Sequence, residues 1–188
     1  MEIFRVIFLI VFLTLWSLFS IFWLWYLIDF ILCKEDYVTN KNTTKKIAAF
    51  INENFKKGAF YDLGSSRGDF VLDIAKQCPQ LQITGIDNSF LRVSISKLRA
   101  VMNHKKIVFQ NKDIFKTDIS KAELIYIYIP RILLPKLSKK LEKELQAGVT
   151  VITSRISFPD WIPSRTISKD PKNEKEQDIF IYKFPFKP

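Results

Sequence analysis

Histidine and cysteine are scarce in this 188-residue chain, and each scarcity excludes a kind of site. A single imidazole, at His104, rules out any mechanism or metal centre that needs two histidines. Cys33 and Cys78 are too few for a disulfide framework or a four-thiolate zinc site. We therefore expect no metal among the bound groups. Because 48% of the residues are hydrophobic, disorder over most of the chain is also excluded.

Charge is nearly absent from the first 32 residues, which carry only Glu2, Arg5 and Asp29. Residues 33–188 hold 28 basic and 17 acidic side chains, a net charge of +11, so the basic character of the chain, +10 overall, belongs entirely to this second part. The length allows one domain plus an appendage. The sequence thus predicts a short appendage at 1–32 and a basic domain at 33–188.

Residues 6–28 form an uncharged run of 23 residues, rich in phenylalanine and tryptophan. As a helix the run is about 34 Å long at roughly 1.5 Å per residue, against a hydrocarbon core of ~30 Å. A cleaved signal peptide is the alternative, but its apolar region is usually about 7–15 residues and ends at small residues. This run ends instead at Trp23, Trp25 and Tyr26, which suit the headgroup region. We therefore predict an uncleaved, single-pass transmembrane anchor at 1–32.

The lysines on the C-terminal side of this run predict its orientation in a cell membrane. Lys34, Lys41, Lys45 and Lys46 follow it, whereas only Arg5 and the α-amine precede it. The positive-inside rule then places the domain in the cytoplasm, next to the bilayer. No RNA-binding motif or base-stacking platform is evident, so we expect no nucleic-acid partner.

Strand and helix patterns alternate through most of the second part. Helices are predicted at 43–54 (capped by Thr43 or Thr44), 69–78, 89–103 and 133–146, and strands at 59–63, 81–87, 107–109, 124–129 and 149–153. Such alternation is typical of a parallel sheet covered on both faces, an α/β fold. The third helix is expected to bury Leu91, Ile95, Leu98 and Met102. Two further strands, near 166–168 and 179–184, have no helix between them and predict an antiparallel ending; the charged loop at 170–177 is expected to be solvated.

Acidic residues and glycines collect where the first three strands end. Asp62 precedes the turn that runs from Gly64 to Gly68, and the glycines allow a sharp turn and a close start of the next helix. Asp87 ends the second strand and Asp113 follows the third. Parallel sheets bind ligands at the carboxyl ends of their strands, where a carboxylate can accept the two hydroxyls of a ribose. The plain structural alternative is that the glycines mark turns and the carboxylates cap helices.

The turn lacks the G-x-G-x-x-G pattern of a dinucleotide site. Its D-x-G-x-x-x-G form resembles motif I of the class I S-adenosylmethionine-dependent methyltransferases. The resemblance implies a Rossmann-like sheet of order 3-2-1-4-5-7-6 with strand 7 antiparallel. It also implies S-adenosyl-L-methionine as the cofactor, with Asp87 at the ribose and Asp113 on the adenine side. The implied cofactor-binding set is Asp62, Gly64, Ser66, Gly68, Asp87, Asn88 and Asp113.

Three further blocks are similar to a membrane-anchored group of protein-lysine methyltransferases, related to the enzyme that modifies the c subunit of ATP synthase. They are Tyr61-Asp62-Leu63-Gly64-Ser65, residues 137–148, and the stretch from Ser154 to Trp161. That group usually reads Gly-Ser-Gly-Asp-Gly in the turn. Here Ser66 stands in place of the central glycine and Arg67 in place of the acid.

The resemblance implies methyl transfer to a lysine of a membrane-associated protein. The catalytic group is unassigned. Tyr128, near the end of the predicted fourth strand, is the candidate, although alternating tyrosines in a strand more often serve packing. Two alternatives stay open: a methyltransferase acting on a lipid or quinone, and a non-catalytic membrane scaffold, which Ser66 and Arg67 would suit.

Overall fold

The computed structural model describes residues 1–32 and 37–186, with side chains for 1–28 and 37–186. Cys33 and Lys34, on which part of the orientation argument rests, therefore lie outside the described residues. The chain divides into two compact units, Met1–Asp36 and Tyr37–Pro188.

The first unit is one helix, α1 (Glu2–Leu32), as the apolar run predicts. Its segment Glu2–Ile28 has a mean hydropathy of 2.5 and is long enough to cross a membrane. Six aromatic rings form a continuous row along it, with neighbouring centroids 5.6 to 6.5 Å apart; they belong to Phe8, Phe12, Trp16, Phe19, Trp23 and Tyr26. These residues recur every three or four positions, so the rings lie on one face of the helix. Crossing of a membrane remains a prediction.

Over residues 37–186 the second unit holds seven strands, four α-helices and a short 3-10 helix, Arg131–Leu133. In chain order the strands and α-helices are α2 (Lys41–Asn54), β1 (Gly58–Leu63), α3 (Asp69–Gln77), β2 (Leu81–Asp87), α4 (Phe90–Met102), β3 (Ile107–Asn111), β4 (Leu124–Ile127), α5 (Leu134–Glu144), β5 (Thr150–Ser154), β6 (Arg165–Ile167) and β7 (Ile179–Lys183). The strands form one sheet of order β3-β2-β1-β4-β5-β7-β6. Strands β1 to β5 are parallel, while β7 is antiparallel to both β5 and β6. The predicted α/β fold, sheet order and antiparallel ending are confirmed.

Hydrophobic cores cover both faces of the sheet. On one face α2 and α3 pack over β1, β2 and β4, with Ile47, Phe60 and Ile74 wholly buried. On the other face α5 packs through Leu137 and Leu141 against β1, β4 and β5. The carboxyl edge of the sheet is thereby left as the place where the loops after β1, β2, β3 and β4 meet.

Two predicted helix features are wrong. α2 begins at Lys41, and its cap is Asn40, whose side chain accepts a hydrogen bond from the backbone N–H of Asn42. Thr43 and Thr44 are instead buried inside the helix. α4 exposes 61% of Leu98 and 70% of Met102, both expected inside.

The inward face of α4 is partly polar, which explains that error. Its buried residues are Leu91, Arg92, Val93, Ser96 and Ala100. A search for apolar residues at helical spacing passes over Arg92 and Ser96 and selects the neighbouring leucine and methionine instead. The polar residues are inside because they meet the backbone of the β1–α3 turn, described below.

Most of the charged loop at 170–177 is exposed, as predicted, but Glu176 is not. Glu176 is 4% exposed and forms an ion pair of 2.7 Å with Lys46 of α2. It also accepts a hydrogen bond from the backbone N–H of Asp170. The side chain of Gln177 accepts from the N–H of Asn40 and donates to the carbonyl of Val38, so this loop holds the segment that leads into α2.

Candidate functional site

The turn between β1 and α3 folds back tightly onto β2. The backbone N–H groups of Gly64 and Ser65 both donate to the carbonyl of Ile86. Gly64 and Gly68 have φ angles of +101° and +76°, which glycine adopts without strain. Ser66 also has a positive φ, +46°. Its position in place of a glycine is therefore a left-handed one, where an L side chain costs about 1–2 kcal/mol.

Close packing against a neighbouring side chain also requires glycine at positions 68 and 85. A side chain at Gly68 would come within 2.9 Å of the Phe109 ring, and one at Gly85 of β2 within 2.7 Å of the same ring. Phe109, from β3, therefore fills the space under the turn. The turn can lie this close to β2 and β3 only because both positions lack a Cβ.

The carboxylate of Asp87 is held by backbone donors from two directions. Its Oδ2 accepts from the N–H of Ser66 in the turn, and its Oδ1 from the N–H of Ser89 at the start of α4, each at 2.9 Å. The residue is 8% exposed. Asn88, beside it, is exposed. The carboxylate of Asp87 is thus fixed at the end of β2, next to the turn.

Asp62 lies on the neighbouring strand with a buried carboxyl group. It is 3% exposed and stands opposite Gly85 in the β1–β2 register. Burial, and secondarily the negative charge of Asp87, raise the pKa of Asp62 well above its usual value. The structure therefore brings together two of the three predicted acids, and their negative charges repel each other.

Asp113 follows β3 on the same edge but is engaged in its own turn. It is half-buried, and its Oδ1 accepts from the N–H of Phe115 at 2.9 Å. The end of β3 is linked to Asp87 through the N–H of Lys112, which donates to the Asp87 carbonyl. The carboxylate of Asp113 thus has the local capping role of the structural alternative, and its adenine-side role stays a prediction.

Tyr128 lies beyond the end of β4, under the segment that leads into α2. Its ring is 7% exposed and meets that of Tyr37 edge-on, with the centroids 5.0 Å apart. Two residues earlier, the hydroxyl of Tyr126 lies 2.6 Å from that of Thr39. Tyr126 of β4 and Tyr128 just beyond it therefore hold residues 37–39 over the strand end, and packing is at least part of the role of Tyr128.

Sequence reasoning missed the contribution of α4. Arg92, Ser96 and Arg99 all donate hydrogen bonds to the turn. Their spacing of four and three residues places them on one helical face, and that spacing was the available signal. Polar residues at these positions indicate a face that packs on backbone rather than on apolar side chains.

This fold and this turn define the class I methyltransferase architecture. A solved RNA methyltransferase from Salinibacter ruber, in complex with S-adenosyl-L-homocysteine, is similar with a TM-score of 0.69 and 21% identity, over 78% of this chain and 92% of that one. The ANTKMT methyltransferase domain family matches residues 62–165, more than half of the chain. The chain belongs to this family.

Curated relatives carry names in protein-lysine methylation. The ATP synthase c-subunit lysine N-methyltransferase of Xenopus laevis is 32% identical over 57% of this chain and 48% of its own length. The protein of that name from Caenorhabditis elegans is 28% identical over 71% of this chain and 69% of its own. The chain thus spans about half the length of the frog relative.

The buried carboxyl of Asp62 predicts a pH dependence of stability. Its pKa is raised in the folded state, so the folded chain binds more protons than the unfolded chain between the two pKa values. The free energy of unfolding therefore falls as pH rises through that window. We expect Asp62→Asn, which cannot ionise, to be more stable than the wild type at neutral pH and to lack this fall. Denaturant unfolding of the full chain in detergent, at a series of pH values, measures it. A neutral-pH stability below that of the wild type would contradict the assignment.

Proposed function

We propose that this protein is a membrane-tethered, S-adenosylmethionine-dependent methyltransferase whose acceptor is a lysine of a membrane-associated protein. The family membership supports the reaction class, and the names of the curated relatives support lysine as the acceptor. The α1 helix supports the tether. The observation that carries the proposal is the pair of acids, Asp62 and Asp87, at the ends of β1 and β2.

The pair fits the cofactor because its two negative charges favour a cationic ligand. Two carboxylates held close together, one of them almost wholly buried, repel each other and favour protonation of Asp62. S-Adenosylmethionine carries an α-ammonium and a sulfonium against a single α-carboxylate, so it is a net cation and its binding would offset that repulsion. In this arrangement Asp87 would accept the ribose hydroxyls and Asp62 would face the α-ammonium. The positive φ angles of Gly64 and Gly68 shape the turn that would face the ligand.

The cofactor would supply an activated methyl group with an excellent leaving group. The protein's part is then alignment of the acceptor and exclusion of water. The acceptor lysine must lose its proton. Removal of water around its amino group would favour this, because burial disfavours the charged form. The edge-on pair of Tyr37 and Tyr128 offers apolar walls at the end of β4, beside the carboxyl end of β1. We assign these rings to lining and assign no catalytic base.

A second candidate, a scaffold that keeps the fold without the reaction, is favoured by one observation. Ser66 has a left-handed backbone conformation and Arg67 follows it, where the resemblance leads one to expect a glycine and an acid. The cationic guanidinium of Arg67 would weaken the binding of a cationic cofactor unless the side chain points away from the cofactor site. Cofactor binding separates the two candidates.

Replacing Asp87 tests the cofactor site. Asp87→Ala removes the acceptor for the ribose hydroxyls, so we expect the affinity for S-adenosylhomocysteine to fall beyond detection, at least ~100-fold, since hydrogen bonds to a charged group contribute about 1.5–3 kcal/mol each. Calorimetry on the full chain in detergent measures this. Asp118→Ala, at an exposed residue, is the matched control and should bind as the wild type does. Unchanged affinity in Asp87→Ala would place the ligand elsewhere; a wild type that does not bind at millimolar ligand would favour the scaffold.

The acceptor is tested in cells that lack the protein. We expect a peptide from a membrane protein to lose one or more lysine methyl groups, and expression of the wild type, but not of Asp87→Ala, to restore them. Mass spectrometry of membrane proteins and of extracted lipids compares the strains. Loss of a methyl group from a lipid or quinone alone would exclude the lysine acceptor and favour the alternative enzyme.

A further inference from the structure

One face of α4 reaches across to the backbone of the β1–α3 turn. The Arg92 guanidinium donates to the hydroxyl of Ser66 at 3.2 Å. The Ser96 hydroxyl lies 3.0 Å from the carbonyl of Ser66 and 2.9 Å from the carbonyl of Arg92, so the two carbonyls share its single proton. One helical turn further on, Arg99 donates to the carbonyl of Arg67 at 2.8 Å. Three successive side chains of this face thus hold two consecutive residues of the turn.

Two of the three side chains are buried: Ser96 wholly, and Arg92 with 7% of its surface exposed. Burial of a guanidinium is costly unless it is hydrogen-bonded, so the bond from Arg92 to Ser66 offsets part of that cost. Arg99 is half-buried, and its second nitrogen pairs with Asp69 at the start of α3. Helix α4 therefore contacts both the β1–α3 turn and the start of α3.

Ser66, which accepts two of these contacts, also has a strained backbone conformation. Ser66 has φ +46°, a conformation that an L residue keeps only when its surroundings hold it there. In that conformation its N–H points to Oδ2 of Asp87 at 2.9 Å. Contacts from α4 to the hydroxyl and the carbonyl of Ser66 thus also fix the donor that orients the Asp87 carboxylate.

We propose that Arg92, Ser96 and Arg99, together the α4 clamp, are positioning residues for the cofactor site. They hold Ser66 in its left-handed conformation and through it set the direction of the Asp87 carboxylate. A glycine at position 66 would adopt the left-handed conformation without strain. The α4 clamp stabilises the same conformation for a serine. This inference rests on the proposed function, because the site being positioned is that of the cofactor.

Arg99→Gln is the principal test, since it removes the guanidinium that bonds to the Arg67 carbonyl at the edge of the clamp. We expect the affinity for S-adenosylhomocysteine to fall about tenfold, as for loss of one charge-assisted hydrogen bond. Hydrogen exchange of residues 64–68 should become faster, while exchange of β5 and β7 stays unchanged. Calorimetry and exchange mass spectrometry on the full chain in detergent measure both.

Two controls separate positioning from general stability. Asp69→Asn removes the ion pair but leaves the Arg99 contact with Arg67, so it should lower the unfolding temperature and keep the affinity near that of the wild type. Lys97→Gln alters an exposed residue of the same helix and should change neither quantity. Ser96→Ala provides a second clamp variant with little change in volume, and it should also weaken binding and loosen residues 64–68.

The outcomes of this experiment are distinguishable. If the wild type binds and both clamp variants bind equally well, the clamp is overturned while the proposed function stands. Equal losses of affinity in Asp69→Asn and Arg99→Gln would also overturn it, because the ion pair alone would then explain the effect. If the wild type does not bind the ligand at all, the proposed function itself fails. Should Arg99→Gln not fold, Ser96→Ala decides the matter by the same two measurements.

Discussion

The carboxyl edge of the sheet is organised around two acids that the fold keeps side by side and away from water. The parallel pairing of β1 with β2 sets Asp62 opposite Gly85, two residues before Asp87. Burial raises the pKa of Asp62, and the charge of Asp87 adds to the effect. Repulsion between two acids contributes no stability, and their proximity supports the proposal of a cationic ligand at this edge. The backbone donors of Ser66 and Ser89 hold the Asp87 half of the pair in place.

The parts of the fold that depend on local rules could be predicted from the sequence. Glycines at 64 and 68, with acids at 62 and 87, follow the spacing that a strand, a tight turn and a helix require, and the structure places them accordingly. The antiparallel ending could be predicted because no helical pattern separates the last two strands.

The parts that depend on tertiary contacts could not be predicted in this way. The inner face of α4 was missed because Arg92 and Ser96 satisfy groups of a turn that is distant in sequence, and hydrophobic periodicity does not register such contacts. Glu176 was assigned to a solvated loop because its partner, Lys46, lies far away along the chain. Within the site, the approach of Asp62 to Asp87 could be expected. The sequence left open whether Asp113 faces a ligand or caps its own turn, and only the structure shows its hydrogen bond within that turn.

If the proposed function holds, the most direct consequence of the acid pair is a proton that leaves when the cofactor binds. Asp62 should ionise as the α-ammonium of the cofactor approaches it, so binding of S-adenosylmethionine should release protons. Calorimetric titration of the full chain in buffers of different ionisation enthalpy, at several pH values from about 5 to 8, measures that release. The account predicts a proton release that depends on pH in the wild type and disappears in Asp62→Asn. A release that is equal in the two proteins, or tight binding with none at any pH in this range, would contradict it.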